Sequence, residues 1–517
     1  MELVKKNIHM EQRITWASVQ ISLEDDQNIS DQKPDAYKII CKDSCVKVEE
    51  TKPVEEAVWV KGTLLYKVLY LTDEKERQLC SLEGTIPFEE KIYTEKNVSG
   101  ESLRVLTRVE DLSIRLINSR KMNIRSVLNV TITQDLLRDE EVVTDVEEPQ
   151  TCEILKKPMD VTTIVLDTKD IYRIKEEWEI PDGMPNIYSL IWNEIRMEGL
   201  NFVAMDGKIA ISGEISGFFL YDGEEETTKA RSFEINRPFS GILDVPECRE
   251  NMQLRMEYEM ICPTVEVKQD YDGEERLMDL DVELKLYIKL YQNVTFDVVA
   301  DAYGIREKMN PVMKKTHCEK IIRKECGKIK ISDIWENTQE DGPDPEIMHV
   351  NVYILEEETT AKTNEVELSG VIRADILCSV EDDIEQYRCI SMDIPYTHSM
   401  GISGVSEADP VCCVVGMEQA GAVKQGDAIE VRAILSYQLL VYQAVDDTLL
   451  SDMEKVEKET ESGALPVMSV YFAKENENIW EVGKKYQVAL ADVRSLNGLT
   501  EDTMQEGQKI LIAKEMV

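Results

Sequence analysis

One spacing recurs three times in this chain and limits what it can fold into. Twenty-five residues separate Gly62 from Pro87, Gly213 from Pro238 and Gly370 from Pro395. In each case an aliphatic residue stands two before the glycine: Val60, Ile211 and Leu368. An aromatic residue follows each proline: Phe88, Phe239 and Tyr396. Between glycine and proline lie an alternating apolar run, an acidic turn ("DEKE", "DGEEE", "EDDIE") and a second run. Equal spacing repeated three times marks an internal repeat, which sets the architecture before any local propensity is weighed. Alternation with period two puts one face of each run into a core, so the unit reads as a β-hairpin with a solvated turn. The glycine marks a bulge or a close backbone approach. The proline, with no N–H to donate, is expected to end the ladder.

Each unit closes with a longer alternating run. In the first it is "MNIRSVLNVTI", with Met122, Ile124, Leu128, Val130 and Ile132 on one face. In the second it is "LDVELKLYIKL", from Leu280 to Leu290, and in the third "AIEVRAILSYQLLVY". A weaker strand precedes each of the first two hairpins, in "PDAYKIICKDSCVKV" and "PNIYSLIWNEIRM". The expected fold is therefore mainly β: three tandem β-sandwich-like repeats at 1–137, 161–300 and 301–445. The acidic stretches 138–160 and 446–466 read as linkers, being charged, poor in large apolar residues and ending near proline.

The segment 467–517 has a different pattern. "MSVYFA" is a short strand, Asn476 or Asn478 caps a helix starting near Ile479, "ALADVRSLNG" is a second helix ended by Gly498, and "GQKILIA" closes the unit. This βααβ unit has a small expected core of Ile479, Val482, Tyr486, Val493, Leu496 and Ile510. Trp480, Lys484 and Gln487 form a second helical stripe with Arg494 nearby, a candidate patch for a protein partner. Trp480 reads equally as an interface anchor or as a half-buried residue of the small core.

The balance of 59 Lys and Arg against 101 Asp and Glu, a formal charge of -42, disfavours nucleic acid and anionic membrane surfaces as partners. The chain shows neither a leader peptide nor an apolar run long enough to span a bilayer, so a cytoplasmic location is expected. Its 12 cysteines include no CxxC pair, and in that compartment free thiols are expected rather than a disulfide framework. Phosphate-loop, GxSxG and HExxH motifs are absent, and the histidines at 9, 317, 349 and 398 are scattered. Adjacent His317 and Cys318 would point to opposite faces of a strand. No enzyme activity, metal or cofactor is expected.

The motifs "VKGTLLYKVLYL" and "GTIPFEE", with their two echoes, resemble the SPOCS domain, a module of spore coat proteins in clostridia and their relatives; the resemblance covers roughly residues 30 to 445. Ile479-Trp480, Lys485-Tyr486, "VRSLNGL" and "MQEGQKILI" resemble a LysM domain. The combination resembles coat and cortex morphogenetic proteins that bind stage IV sporulation protein A, an ATPase that polymerises over the forespore. The resemblance implies a mother-cell adaptor whose LysM unit binds that ATPase. Glycan-binding LysM domains usually carry Gly-Asp-Thr where this chain has Asn476, Glu477 and Asn478, so a protein ligand is expected. Peptidoglycan at the cortex or wall is the alternative.

Overall fold

The computed structural model describes residues 2–74, 77–100, 102–147, 151–224, 230–305, 307, 309–337, 344–380, 386–455 and 468–513. The first repeat comprises β1 (Leu3–Asn28), β2 (Ala36–Val54), β3 (Ala57–Thr72), β4 (Leu79–Tyr93), β5 (Leu103–Asn118) and β6 (Lys121–Val146). The second comprises β7 (Cys152–Glu179), β8 (Ile187–Met205), β9 (Lys208–Gly223), β10 (Arg231–Asp244), β11 (Gln253–Gln269) and β12 (Glu275–Gly304). The third comprises β13 (Met309–Glu336), β14 (Pro345–Lys362), β15 (Glu365–Val380), β16 (Tyr387–Gly401), β17 (Val411–Gln425) and β18 (Ala428–Lys455). The C-terminal unit is β19 (Met468–Phe472), α1 (Ile479–Tyr486), α2 (Leu490–Asn497) and β20 (Lys509–Ala513). The chain is mainly β, as its alternation requires, and among the described residues both helices lie in the last unit.

All three repeats have one plan. Strands two, three and four form a meander, and the first strand pairs with the last, which also pairs with the fifth. The two three-stranded antiparallel sheets share a core. In the first repeat Val60, Leu64 and Val68 of β3 meet Ile124, Leu128 and Val130 of β6, all fully buried. Those are the alternating faces read from the sequence, on the central strand of each sheet.

The 25-residue spacing has a direct cause. Gly62 pairs across the hairpin with Phe88, Gly213 with Phe239 and Gly370 with Tyr396. The aromatic ring covers the glycine: a Cβ at Gly62 would lie 2.6 Å from the Phe88 ring, and one at Gly213 would lie 3.0 Å from Phe239. The proline does not end the ladder. Strand β4 continues past Pro87 to Tyr93, and proline is tolerated because β4, β10 and β16 are edge strands.

The first linker expectation is corrected. Residues 138–146 are the second half of β6 and 152–160 the start of β7. Beyond Gln134, where β5 stops pairing, β6 continues with β1 alone as a two-stranded ribbon. The β7–β12 and β13–β18 pairs extend in the same way past Tyr291 and Val441. The three ribbons pack on one another through Ile8, Met10 and Val142, Met159, Val161 and Val298, and Cys318 and Leu449. The segment looks like a linker because its outward face is acidic, while Val142 and Val143 are buried. Residues 446–455 likewise belong to β18, and 456–466 lie outside the described residues. The repeats therefore occupy 3–146, 152–304 and 309–455 rather than the shorter spans expected.

Each repeat touches both others. Lys67 donates to Asn193 across the first–second seam, Arg196 to the Val350 carbonyl across the second–third, and Arg108 to the Leu355 carbonyl across the first–third. Leu69, Leu220 and Leu377, each seven residues after its motif glycine, meet in a core shared by all three repeats.

The expectation of free thiols is also corrected. Cys45 of β2 and Cys262 of β11 form a disulfide joining the first two repeats, the two cysteines being 217 positions apart in sequence and their Cα atoms 6.1 Å apart. Sequence spacing gave no signal for it, since the pair is made only when two edge strands of different repeats meet. A bridge closing so long a loop stabilises by about 2–4 kcal/mol, chiefly by restricting the unfolded chain. Cys45→Ser is expected to lose that amount in denaturant melts, and reductant should lower wild type to the level of the variant. Equal stability of oxidised wild type and Cys45→Ser would contradict the bridge's structural role.

Candidate functional site

The C-terminal unit holds every candidate partner-binding residue read from the sequence. Asn478 caps α1, its side chain accepting from the Trp480 amide at 2.9 Å. Glu477 accepts from the Tyr471 hydroxyl at 2.8 Å and the Lys474 amide at 2.9 Å. Burial opposes its charge slightly, yet these donors hold its carboxyl below the ordinary value. Asn476 sits at φ 58 and is exposed. The loop 476–478 is thus shaped by its own hydrogen bonds, with Asn476 and Asn478 exposed and Glu477 half-buried. Helix α1 ends at Gln487 in the left-handed conformation, and α2 ends at Gly498 in the same way.

Ile479, Val482, Val493 and Ile510 are buried in the unit's core, and Tyr486 packs at its edge against Tyr471. Leu496 does not join them. It is 42% exposed, because α2 turns Leu490 and Val493 inward instead.

The Trp480 stripe is not a free patch. Trp480 is only 7% exposed and its indole N–H donates to Asp301 at 2.9 Å. Lys484 reaches the same carboxylate at 2.6 Å. Tyr303, two residues along β12, stands edge-on to the Trp480 ring at 5.0 Å and donates its hydroxyl to the Val488 carbonyl at 2.9 Å. Glu153 of β7 accepts from the Leu490 amide at 2.9 Å. Burial raises the Tyr303 phenol well above its ordinary value, and Glu153 adds to this. The Trp480–Lys484 face is therefore the seam by which the unit docks on the tip of the second ribbon. Of the other candidates, Arg494 pairs with Asp502 at 2.7 Å on the unit's own surface, and Gln487 is half-buried.

The face left open is the outer side of the β19–β20 hairpin. Met468, Val470 and Phe472 are 62%, 52% and 57% exposed, with Leu511, the cross-strand partner of Val470, at 38%. A lone two-stranded sheet has one side to bury, which Tyr471, Ile510 and Ile512 supply. The sequence carried a sign of this: "MSVYF" places large apolar residues on both faces, one set more than a small core needs. Asn497 brackets Leu511 by hydrogen bonds to its N–H and carbonyl, closing that edge of β20. Among the described residues no group of His, Cys, Asp or Glu is placed to hold a metal ion, and no helix is long and apolar enough to cross a membrane.

Comparison with known proteins agrees with the repeat architecture. The family model described as SipL, SPOCS domain matches residues 35–117 and 186–268, which hold strands two to five of the first and second repeats. Over these two segments, in the first and second repeats, the chain is thus similar to the SPOCS domain of SipL-type proteins. The third repeat lies outside the matched residues and has the same six-strand order. No curated protein and no solved structure matches the chain.

Proposed function

We propose that this chain is a non-enzymatic morphogenetic adaptor of the spore coat, acting in the mother-cell cytoplasm at the forespore surface. Its C-terminal unit is a LysM-type head that binds the polymerising coat ATPase, stage IV sporulation protein A. The three-repeat body is the scaffold that carries the head and meets other coat proteins. The resemblance to coat morphogenetic proteins supplies the partner. The observation that carries the choice of surface is the open apolar hairpin face of Met468, Val470, Phe472 and Leu511 on a unit whose opposite side is already occupied. Exposed contiguous apolar side chains are what a protein partner covers, and a buried aromatic anchor typically contributes about 2 kcal/mol or more.

The test is binding of the purified chain to the polymerised ATPase. Phe472→Ser combined with Val470→Ser is expected to weaken capture at least tenfold, consistent with the loss of about 1.4 kcal/mol or more. Both side chains are outside the core, so the melting temperature should hold. Unchanged binding by the folded variant would exclude this face. Sedimentation of wild type with purified peptidoglycan, without capture of the ATPase, would favour a wall-binding role.

A further inference from the structure

The three-repeat body has cysteines facing each other across two of its seams, and one of those pairs carries no bridge. Cys41 lies on β2, four residues before the bridged Cys45. The register of β2 on β3 shifts between Ile39 and Cys41, which sets Cys41 opposite Leu69. In the third repeat Cys389 of β16 lies opposite Leu377. Leu69 and Leu377 hold the same position in their repeats, and both are buried in the core that all three repeats share. Cys41 and Cys389 pack on that core from the two sides of the first–third seam, where β2 meets β16. Both are half-buried, so small reagents can reach them.

The equivalent places at the other seams show how particular this is. The residue opposite the central leucine on the second strand is Cys41 in the first repeat, Trp192 in the second and His349 in the third. On the fourth strand it is Ser81, Ser232 and Cys389. At the second–third seam His349 crosses to β10, where its ring bonds Glu234 at 2.7 Å. The same meeting of second and fourth strands at the first–third seam brings a cysteine from each side.

We propose that Cys41 and Cys389 are a second disulfide site, formed on oxidation, that ties the first repeat to the third. With Cys45–Cys262 already joining the first repeat to the second, this bridge would bind the first repeat covalently to both neighbours. The oxidant is a small-molecule disulfide acting by exchange. One cysteine thiolate attacks a sulfur of the reagent, forming a mixed disulfide and expelling one thiolate. The second cysteine thiolate attacks the protein sulfur of that mixed disulfide and expels the other. The two protons lost by the protein thiols go to the two departing thiolates, and the reagent takes up the two electrons. The body assembles without this bond, because its shared cores are apolar; the bond locks an arrangement that already exists.

The full chain is incubated with oxidised glutathione, alkylated, and digested with trypsin. Cleavage after Lys42 separates Cys41 from Cys45, and cleavage after Arg388 frees the Cys389 peptide. A peptide linking Cys41 to Cys389 is expected beside the one linking Cys45 to Cys262. Cys389→Ser and, separately, Cys41→Ser should each abolish the first and keep the second. On non-reducing denaturing gels the oxidised wild type should migrate faster than either variant. Recovery of Cys41 as the alkylated thiol, as a glutathione adduct, or joined to any cysteine other than Cys389 would overturn the proposal.

Discussion

Replacing Lys289 with alanine is expected to cost the three-repeat body about 3–5 kcal/mol, the usual penalty for removing one member of a buried ion network. Lys289 of β12 is 3% exposed at its side chain and lies against Glu11 and Asp135 of the first repeat, with Asp167 of its own repeat at 3.7 Å. Around it Arg13 pairs with Asp135, Arg104 and Arg255 pair with Glu257, and Tyr291 donates to Glu11. Four cations thus face the four carboxylates Glu11, Asp135, Asp167 and Glu257 across one seam. Removing Lys289 leaves Glu11 to Arg255 and Asp135 to Arg13, and takes from Asp167 its salt bridge, at a seam where these acids are largely buried.

The penalty has a pH signature. Burial pushes the Asp135 carboxyl up, but Arg13 and Lys289 outweigh it and hold the group down at about 2. Glu11 and Glu257 are depressed in the same way, burial being overcome by the bases around them. Carboxylates whose folded values lie below their unfolded ones stabilise the protein above roughly pH 4, and that stability is lost as pH falls toward about 2. The gap between wild type and Lys289→Ala should therefore be full near neutral pH and close as the acids protonate. Urea melts at a series of pH values measure it. A gap below about 1 kcal/mol at pH 7, or one that does not change with acid, would show that the network is solvated rather than sealed.

What could be read from the sequence was what a single hairpin encodes. The glycine and the aromatic after the proline are cross-strand neighbours, so their spacing is a local constraint that each repeat must meet alone. The same holds for the alternating faces of β6 and β12 and for the Asn478 cap of α1. What could not be read depends on partners distant in sequence. The ribbons look like acidic linkers until three of them share Val142, Val298 and Leu449. Cys45 meets Cys262 only when two repeats close. Trp480 and Lys484 do form a stripe on one helix face, as expected, but helical spacing cannot say that Asp301 is what the stripe meets. Leu496 has the spacing of a core residue, yet a helix of eight residues has room to turn few side chains inward.

The seam at Asp301 can itself be explained by comparing the ribbons. Each carries an aspartate just past its second register irregularity: Asp145, Asp301 and Asp452. Asp145 reaches Lys156 on the next ribbon at 2.8 Å, and Asp452 helps Glu141 keep Lys5 charged. Lys156 and Lys5 stand opposite Val299 and Val143; the matching place on the third ribbon, opposite Leu450, is Met313. Among the described residues Asp301 pairs with no lysine of its neighbouring ribbon, and Lys484 of the C-terminal unit takes that role. Two residues beyond each aspartate come Glu147, Tyr303 and Glu454, so only the second ribbon also offers a ring for Trp480. Tyr303 is 2% exposed, and truncating a buried aromatic costs roughly 3–5 kcal/mol, here drawn from the docked state. Tyr303→Ala is accordingly expected to release the C-terminal unit. Amide hydrogen exchange across 479–490 should accelerate by more than a hundredfold, while β9 and β12 within the second repeat keep their protection. Tyr303→Phe keeps the ring and loses only the bond to Val488, so it should weaken docking by about 1 kcal/mol. If α1 exchanges equally slowly in Tyr303→Ala and wild type, the ribbon tip does not hold the unit, and its place on the body must be set by other contacts.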